Sequence, residues 1–333
     1  MREGVVEIDG ARGEGGGQIL RTSLALSLIT RRPLHMTRIR ANRPKPGLQR
    51  QHVACVQAAA VLSGATVRGA EVGSSSIELV PGDAWASELE IDIGTAGSTS
   101  LVVQTILVPA LASGRALRAR ITGGTHNPFA PPFEFLDRVF LPHLRAMGAD
   151  VTLTLERHGM MPKGGGALLL EVRPSKLSPI AIVDAPPLAS CRATAIVAGL
   201  PRHVAERELA TAREEMPSPA CVLVELAHGP HNVFMCEAEL ANGARELVTS
   251  HGKKGYPAED VAMDAIDELQ DFVDAAVPVG EHLADQLLLP LAVAGGGSYR
   301  TGPLSLHTTT NIETIRCFLD LPIRTEGDLV RLG

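Results

Sequence analysis

One order of elements recurs along this 333-residue chain and narrows what it can fold into: strand, glycine turn, helix, strand, helix, two strands. Val5 to Asp9 reads as a strand, Gly10 to Gly17 as a glycine-rich turn and Gln18 to Ile29 as an apolar helix. His35 to Ala41 is the next strand and Leu48 to Ser63 the next helix, and strands around Thr66 to Glu71 and Ser75 to Val80 complete a β-α-β-α-β-β unit. The order returns with a strand at Leu89 to Ile93, the turn Gly94 to Ser98, a helix Thr99 to Leu111 and a strand Ala116 to Thr122. A helix from Pro131 to Met147, with proline in its first turn where a missing N–H costs nothing, leads to strands Asp150 to Glu156 and Ala167 to Val172. Equivalent turns lie roughly 80 residues apart, within the size of a small α/β unit.

A third copy stands at the C-terminus with its beginning displaced. Leu283 to Ala292 is its first helix, Leu304 to Thr309 a strand, Ile312 to Leu319 its second helix with Asn311 as N-cap, and Pro322 to Leu332 leaves room for one or two strands. Its first strand is sought near Ile180 to Asp184, which makes the intervening block an insertion. That block has its own order: strand Cys191 to Ala198, helix His203 to Glu215, strands Cys221 to Leu226 and Asn232 to Leu240, helix Pro257 to Ala276. The expected division is therefore a catalytic domain of three repeats, 1–184 with 279–333, and an inserted acidic α/β domain, 185–278.

Charge separates the same two parts. From Ala181 to Pro278 there are 16 Asp and Glu against 7 Lys and Arg, so the remainder carries +3 of the overall −6. Arg31, Arg32, Arg38, Arg40, Arg43, Lys45 and Arg50 fall in one stretch without an acid. Such a run suits either a solvated face or a polyanionic ligand, and its place beside the glycine turns favours a phosphate-bearing substrate. An acidic insertion is a poor match for a phosphate backbone, so it is given no catalytic part. Five scattered cysteines without a Cys-x-x-Cys pair suggest neither a disulfide framework nor a thiolate zinc site. The charged start Met1-Arg2-Glu3-Gly4 lacks the apolar region of a secretory signal, and runs such as Leu101 to Leu111 are too short to span a bilayer. The expectation is a cytoplasmic protein with no membrane contact.

Two stretches carry chemistry. The strand reading of Leu304 to Thr309 puts His307 just before a helix N-terminus, where unpaired N–H groups attract phosphate. An imidazole there can attack phosphorus, bind a metal or relay a proton; a strand histidine satisfied by a neighbour is the plain alternative. Gly13-Glu14-Gly15-Gly16-Gly17-Gln18 is neither a dinucleotide fingerprint nor a P-loop, but a glycine turn opening a helix, with Glu14 available to a divalent cation and Arg21 one turn on. A tight turn between repeats explains it as well. Lys163-Gly164-Gly165-Gly166 lacks the aspartate of lysine-dependent nucleotidyl transferases, and His228-Gly229-Pro230-His231 reads as a surface turn without a third ligand. His35-Met36-Thr37 and His307-Thr308-Thr309 share the His-x-Thr pattern of two-histidine phosphoesterases that open cyclic phosphates.

Together these residues resemble the RNA 3′-terminal phosphate cyclase family. The resemblance runs through Gly13 to Arg21, Ile39 to Leu48, Arg50-Gln51-His52, Gly94 to Ser98, Gln104, Gly123 to Pro128, Pro131-Pro132, His158-Gly159 and Gly164 to Gly166. It closes with His282-Leu283-Ala284-Asp285-Gln286 and His307 to Asn311. It implies an α/β (α+β) fold of three β-α-β-α-β-β units around a pseudo-threefold axis, with a small inserted βαββα domain. It also implies ATP-dependent conversion of an RNA 3′-phosphate to a 2′,3′-cyclic phosphate, through a histidine–AMP intermediate and an RNA-adenylate. His307 matches the adenylated histidine. Gln104 and His282, Leu283, Ala284, Asp285 and Gln286 match ATP-binding positions, with His282 where relatives often have tyrosine; Pro131 and Phe135 match positions flanking the adenine, Phe135 being equally readable as a core aromatic. Gln18, Arg21, Arg40, Arg43 and Gln51 match the phosphate pocket, and Glu14 a carboxylate near Mg²⁺ or Mn²⁺. Asp285 either orients His307 or helps hold the metal. A cyclic phosphoesterase using His35 and His307, or a non-catalytic RNA-processing scaffold, are the alternatives.

Overall fold

The computed structural model describes residues 4–227 and 229–333, so the Met1 to Glu3 start and His228 lie outside the described residues. The first sheet holds β1 (Val6–Asp9), β2 (Leu34–Thr37), β3 (Thr66–Arg68) and β4 (Ile77–Val80) in the order β1-β2-β4-β3. β1 and β2 run parallel and the other pairs antiparallel. A parallel pair needs a crossover, supplied by α1 (Gly17–Thr30); α2 (Arg50–Ser63) follows β2. The second sheet repeats the plan with β5 (Glu88–Asp92), β6 (Leu117–Gly123), β7 (Asp150–Arg157) and β8 (Gly166–Arg173), in the order β5-β6-β8-β7, with α3 (Thr99–Ser113) as its crossover. Its second helix is not one α-helix from Pro131. A π-helical turn, Phe135–Phe140, runs into α4 (Leu141–Ala146). Pro142 has no N–H to give a carbonyl one turn back, and the N–H of Leu141 reaches the carbonyl of Leu136 instead.

β9 (Ala181–Ile182) is the displaced first strand of the third unit. Between it and its partner lie β10 (Leu188–Ala198), α5 (His203–Glu215), β11 (Ala220–Leu226), β12 (His231–Leu240), β13 (Arg245–His251) and α6 (Ala258–Ala275). The expected βαββα order thus gains a strand, β13, paired antiparallel to β12 through the Asn242-Gly243 turn. Arg245 and Glu246 at its start disguise it as loop, although Glu246 is buried. The strands alternate two apolar faces. Ala193, Ala195, Val197, Phe234, Cys236 and Val248 pack under α5 and α6 as a separate core, whereas Ile196, Ala198, Val233, Met235 and Leu247 face the main core.

The third unit resumes with α7 (Glu281–Val293), β14 (Gly297–Arg300), α8 (Leu306–Phe318), β15 (Ile323–Glu326) and β16 (Leu329–Leu332), and its sheet order β9-β14-β16-β15 matches the other two. Here the strand expected at Leu304 to Thr309 is overturned: the strand is Gly297–Arg300, and α8 begins at Leu306 with Ser305, not Asn311, as its N-cap. Threonine's preference for strands yields to tertiary packing. Thr309 and Thr314 return their hydroxyls to the carbonyls of Ser305 and Thr310, while Thr308, Asn311, Ile315 and Phe318 form a buried stripe at helical spacing.

The helices interlock the units. α3 is buried from Thr99 to Leu111 apart from Gln104, an arrangement only possible for a helix surrounded by others, and it packs against α1, α2 and α7. The second helix of each unit lies on the first helix of the next: α2 on α3, the π-helical turn on α7, and α8 on α1. This last contact joins the two ends of the chain. It creates the site described next.

Candidate active site

The closure of α8 on α1 puts His307 in the first turn of one helix beside Gln18 in the first turn of the other. His307 Nδ1 lies 3.0 Å from Gln18 Oε1. A carbonyl oxygen only accepts, so Nδ1 carries the proton and Nε2 keeps its lone pair. The Gln18 amide is held in that orientation because its Nε2 donates to Asp285 Oδ1 on α7. Asn311, one turn along α8 from His307, donates to the same oxygen at 2.8 Å and to the Asp285 carbonyl at 3.0 Å. Burial pushes the Asp285 carboxyl up to about 6, opposed by the Asn311 hydrogen bond and the nearby Arg21 charge. Asp285 is therefore linked to His307 through Gln18.

The glycine turn is built for close approach. Gly13 has φ +57°, and a Cβ there would meet Thr310 Oγ1 at 2.1 Å; the hydroxyl of Thr310 accepts the Glu14 N–H at 3.1 Å and pins the turn to α8. At Gly17 a Cβ would meet His52 Nε2 at 2.6 Å and Arg21 Nη1 at 3.0 Å. The Glu14 side chain is only 4 % exposed; Oε2 takes a hydrogen bond from Arg43 at 2.6 Å, and Oε1 is buried with no partner among the described residues. A buried orphan carboxylate oxygen suits a hard divalent cation, which takes few protein ligands when phosphates and waters supply the rest. Arg21 is partly buried and makes no hydrogen bond or ion pair with a described residue, while burial lowers its pKa. Its donors are free for a ligand oxyanion.

Gln18, Arg21, Gln104, Asp285, Gln286 and Asn311 line one cleft with the apolar Leu107, Val108, Phe140 and Leu289. Gln286 Oε1 is buried there with no partner among the described residues. Other sequence candidates fall elsewhere. The side chains of Leu283 and Ala284 are buried in the core, and His282 is exposed near Glu268 at 3.9 Å. Phe135 is 2 % exposed within the main core, and Pro131 offers its carbonyl to Ser100 Oγ at 2.6 Å. Arg40 donates to the Lys45 and Gly47 carbonyls of its own loop, and Gln51 Oε1 accepts the Ser98 N–H at 3.4 Å. His35 pairs with Glu7 at 2.6 Å and shares no hydrogen bond with His307.

Sequence reasoning gives four residues no part in the site. Thr310 follows the expected strand and Asn311 reads as a helix cap; with α8 starting at Leu306, Asn311 falls four residues from His307 on one face. His52 is buried, and its Nδ1 accepts the Gln49 N–H at 3.0 Å, so the proton sits on Nε2 facing Gly17 beside Arg21. Burial, then the charges of Arg40 and Arg21, lower its pKa to about 3, which makes it a neutral donor. Its pattern in the sequence is a capping box of Gln49 and His52 opening α2. His231, read as part of a surface turn, is half-buried at the start of β12 with His251 Nδ1 3.3 Å from its Nε2.

A repeated mixed-sheet unit whose first and last helices set His307 against Gln18, at the end of a glycine turn that also carries the orphan carboxylate oxygen of Glu14, makes this a mixed α/β protein of small four-stranded sheets. The model of the RNA 3′-terminal phosphate cyclase family matches residues 12–325, and the chain belongs to that family. A relative from Ectopseudomonas mendocina named RNA 3′-terminal phosphate cyclase is 47% identical over 327 residues, covering 97% of this chain and 95% of its own. Relatives of the same name from Koribacter versatilis and Salmonella enteritidis PT4 are 43% and 40% identical, the latter over 99% of both chains. Among the described residues no helix is long and apolar enough to cross a membrane.

Proposed function

We propose that this chain closes RNA 3′-phosphate ends into 2′,3′-cyclic phosphates at the expense of ATP, with His307 as the residue that becomes adenylated. The observation that carries the reading is the Asp285–Gln18–His307 chain, which engages Nδ1 and fixes the ring so that, in the neutral imidazole, the Nε2 lone pair is the nucleophile. Nε2 attacks the α-phosphorus of ATP, and pyrophosphate leaves. An oxygen of the RNA 3′-phosphate then displaces the imidazole, which takes AMP to the RNA end. The neighbouring 2′-hydroxyl attacks that activated phosphate, AMP departs, and the ring closes; the ribose already holds the two groups together, so this step draws on proximity.

The remaining residues fit the phosphates. Arg21, Arg43 and His52 present donors around the glycine turn, and Arg40 and Gln51 are assigned to the same phosphates. Glu14 is the ligand for Mg²⁺ or Mn²⁺, which would neutralise charge on the departing pyrophosphate. Gln104 and Gln286 in the cleft wall are assigned to the nucleotide base, Pro131 and Phe135 to the segment beside it, and His282 to its exposed margin. Residues 185–278 are taken as an inserted domain with no part in the chemistry, and the protein as cytoplasmic.

The test is product analysis of an RNA oligonucleotide ending in a 3′-phosphate. The proposal expects a phosphatase-resistant cyclic end with ATP and a divalent cation, and no conversion without ATP. Conversion in its absence, or opening of a cyclic end instead, contradicts it.

A further inference from the structure

Three side chains with metal-binding atoms converge inside the second unit, and none of them lines the cleft walled by Gln18, Arg21 and Asp285. His126 stands in the turn after β6, Glu134 just before the π-helical turn, and His158 just after β7. His126 Nε2 lies 2.8 Å from Glu134 Oε2, the His126 and His158 rings stack with centroids 5.3 Å apart, and one donor atom from each residue falls within 4.8 Å of the others. His126 is fully buried and Glu134 nearly so.

The hydrogen bonds around His126 leave room for a cation. Thr125 Oγ1 accepts the Gly159 N–H at 2.9 Å and lies 3.3 Å from the Gly159 carbonyl and 2.8 Å from His126 Nδ1. When the hydroxyl donates to that carbonyl, its remaining lone pair takes the Nδ1–H of His126, and every polar group of Thr125 is used. In that tautomer Nε2 is a bare lone pair facing a carboxylate and needs a positive ion between them; with the hydroxyl donating to Nδ1 instead, Nε2–H donates to Glu134 and the pair is satisfied. A proton could serve that pair alone. It would not account for His158, which stacks alongside with no hydrogen bond to any described residue.

We propose that His126, Glu134 and His158 bind a zinc-class divalent cation, separate from the cation assigned to Glu14. Two imidazole nitrogens and one carboxylate oxygen are the donor set of a first-row transition ion, whereas the site at Glu14, all oxygen, suits a harder one. Thr125, already bonded to Nδ1 of His126, supplies the outer partner that orients a ligating imidazole. The ion ties two loops of the second unit to the start of its π-helical turn, and the Glu134 ligand lies between Pro131 and Phe135, so it braces that segment.

The experiment is metal analysis of the full-length protein, stripped with chelator, reloaded with Zn²⁺ and freed of unbound metal by gel filtration. One equivalent of zinc should stay with the wild type and with Glu14→Ala, and be lost from His126→Ala and from His158→Gln, whose half-buried position keeps it foldable if the buried His126 variant is not. Co²⁺ in place of Zn²⁺ should give a visible absorption band in the wild type that is missing in folded His158→Gln. A wild type that retains no zinc, or a folded His158→Gln that retains as much, overturns the proposal, as does zinc lost on Glu14→Ala alone.

Discussion

At the scale of single residues, the site turns on which proton each group holds. His307 owes its reactive tautomer to Gln18, and Gln18 owes its orientation to Asp285, which accepts well only when ionised. Burial raises the Asp285 pKa from 3.8 to about 6, so the folded protein binds that proton more tightly than the unfolded chain does. The sign follows: this group favours the folded state most at low pH, and its contribution is lost as pH rises from 3.8 through about 6. Thermal unfolding of the wild type relative to Asp285→Asn should therefore shift in favour of the variant across that window and level off above it. A difference in unfolding temperature that is flat over the window would remove Asp285 from this role.

At the scale of elements, most of the chain was legible because its helices and strands obey local rules. Helix His203 to Glu215 and the crossover helices appear where their apolar spacing placed them, and the displaced first strand of the third unit is present as β9. The reading failed where local preference and tertiary packing disagree. Leu304 to Thr309 alternates like a strand, yet α8 starts there because Ser305 caps it, its Oγ accepting the Thr308 N–H at 3.2 Å, and because the stripe ending at Phe318 needs a helix to reach the core. That cap also aims His307 at Gln18. Ser305→Ala should cost about 1 kcal/mol of stability in urea unfolding, and slow adenylation by letting the first turn fray. No change in either would separate the cap from the site.

At the scale of the whole molecule, the repeat explains why residues nearly 300 positions apart meet. Three units with one sheet order lay each second helix on the next first helix, and the last contact, α8 on α1, joins Gln18 to His307. Sequence alone could supply the units and their family resemblance, but not which side chains share a hydrogen bond, since Gln18, Asp285 and Asn311 come from three helices. The inserted sheet is also part of this body, because Leu247 and its neighbours on β10 and β12 face the main core. Leu247→Ala should destabilise the protein by about 2–5 kcal/mol. The single tryptophan, Trp85, which packs against the main core, should report that loss by fluorescence in urea. An unchanged Trp85 transition would mean that the inserted sheet contributes nothing to the body.

The most direct test is to incubate the protein with ATP labelled in its α-phosphate and a divalent cation, and to map the label. The account predicts one acid-labile adenylate on His307, transferable to RNA bearing a 3′-phosphate, and none on a His307→Ala variant with an unchanged circular dichroism spectrum. A label on another residue, or RNA ends cyclised at the wild-type rate by His307→Ala, would contradict it.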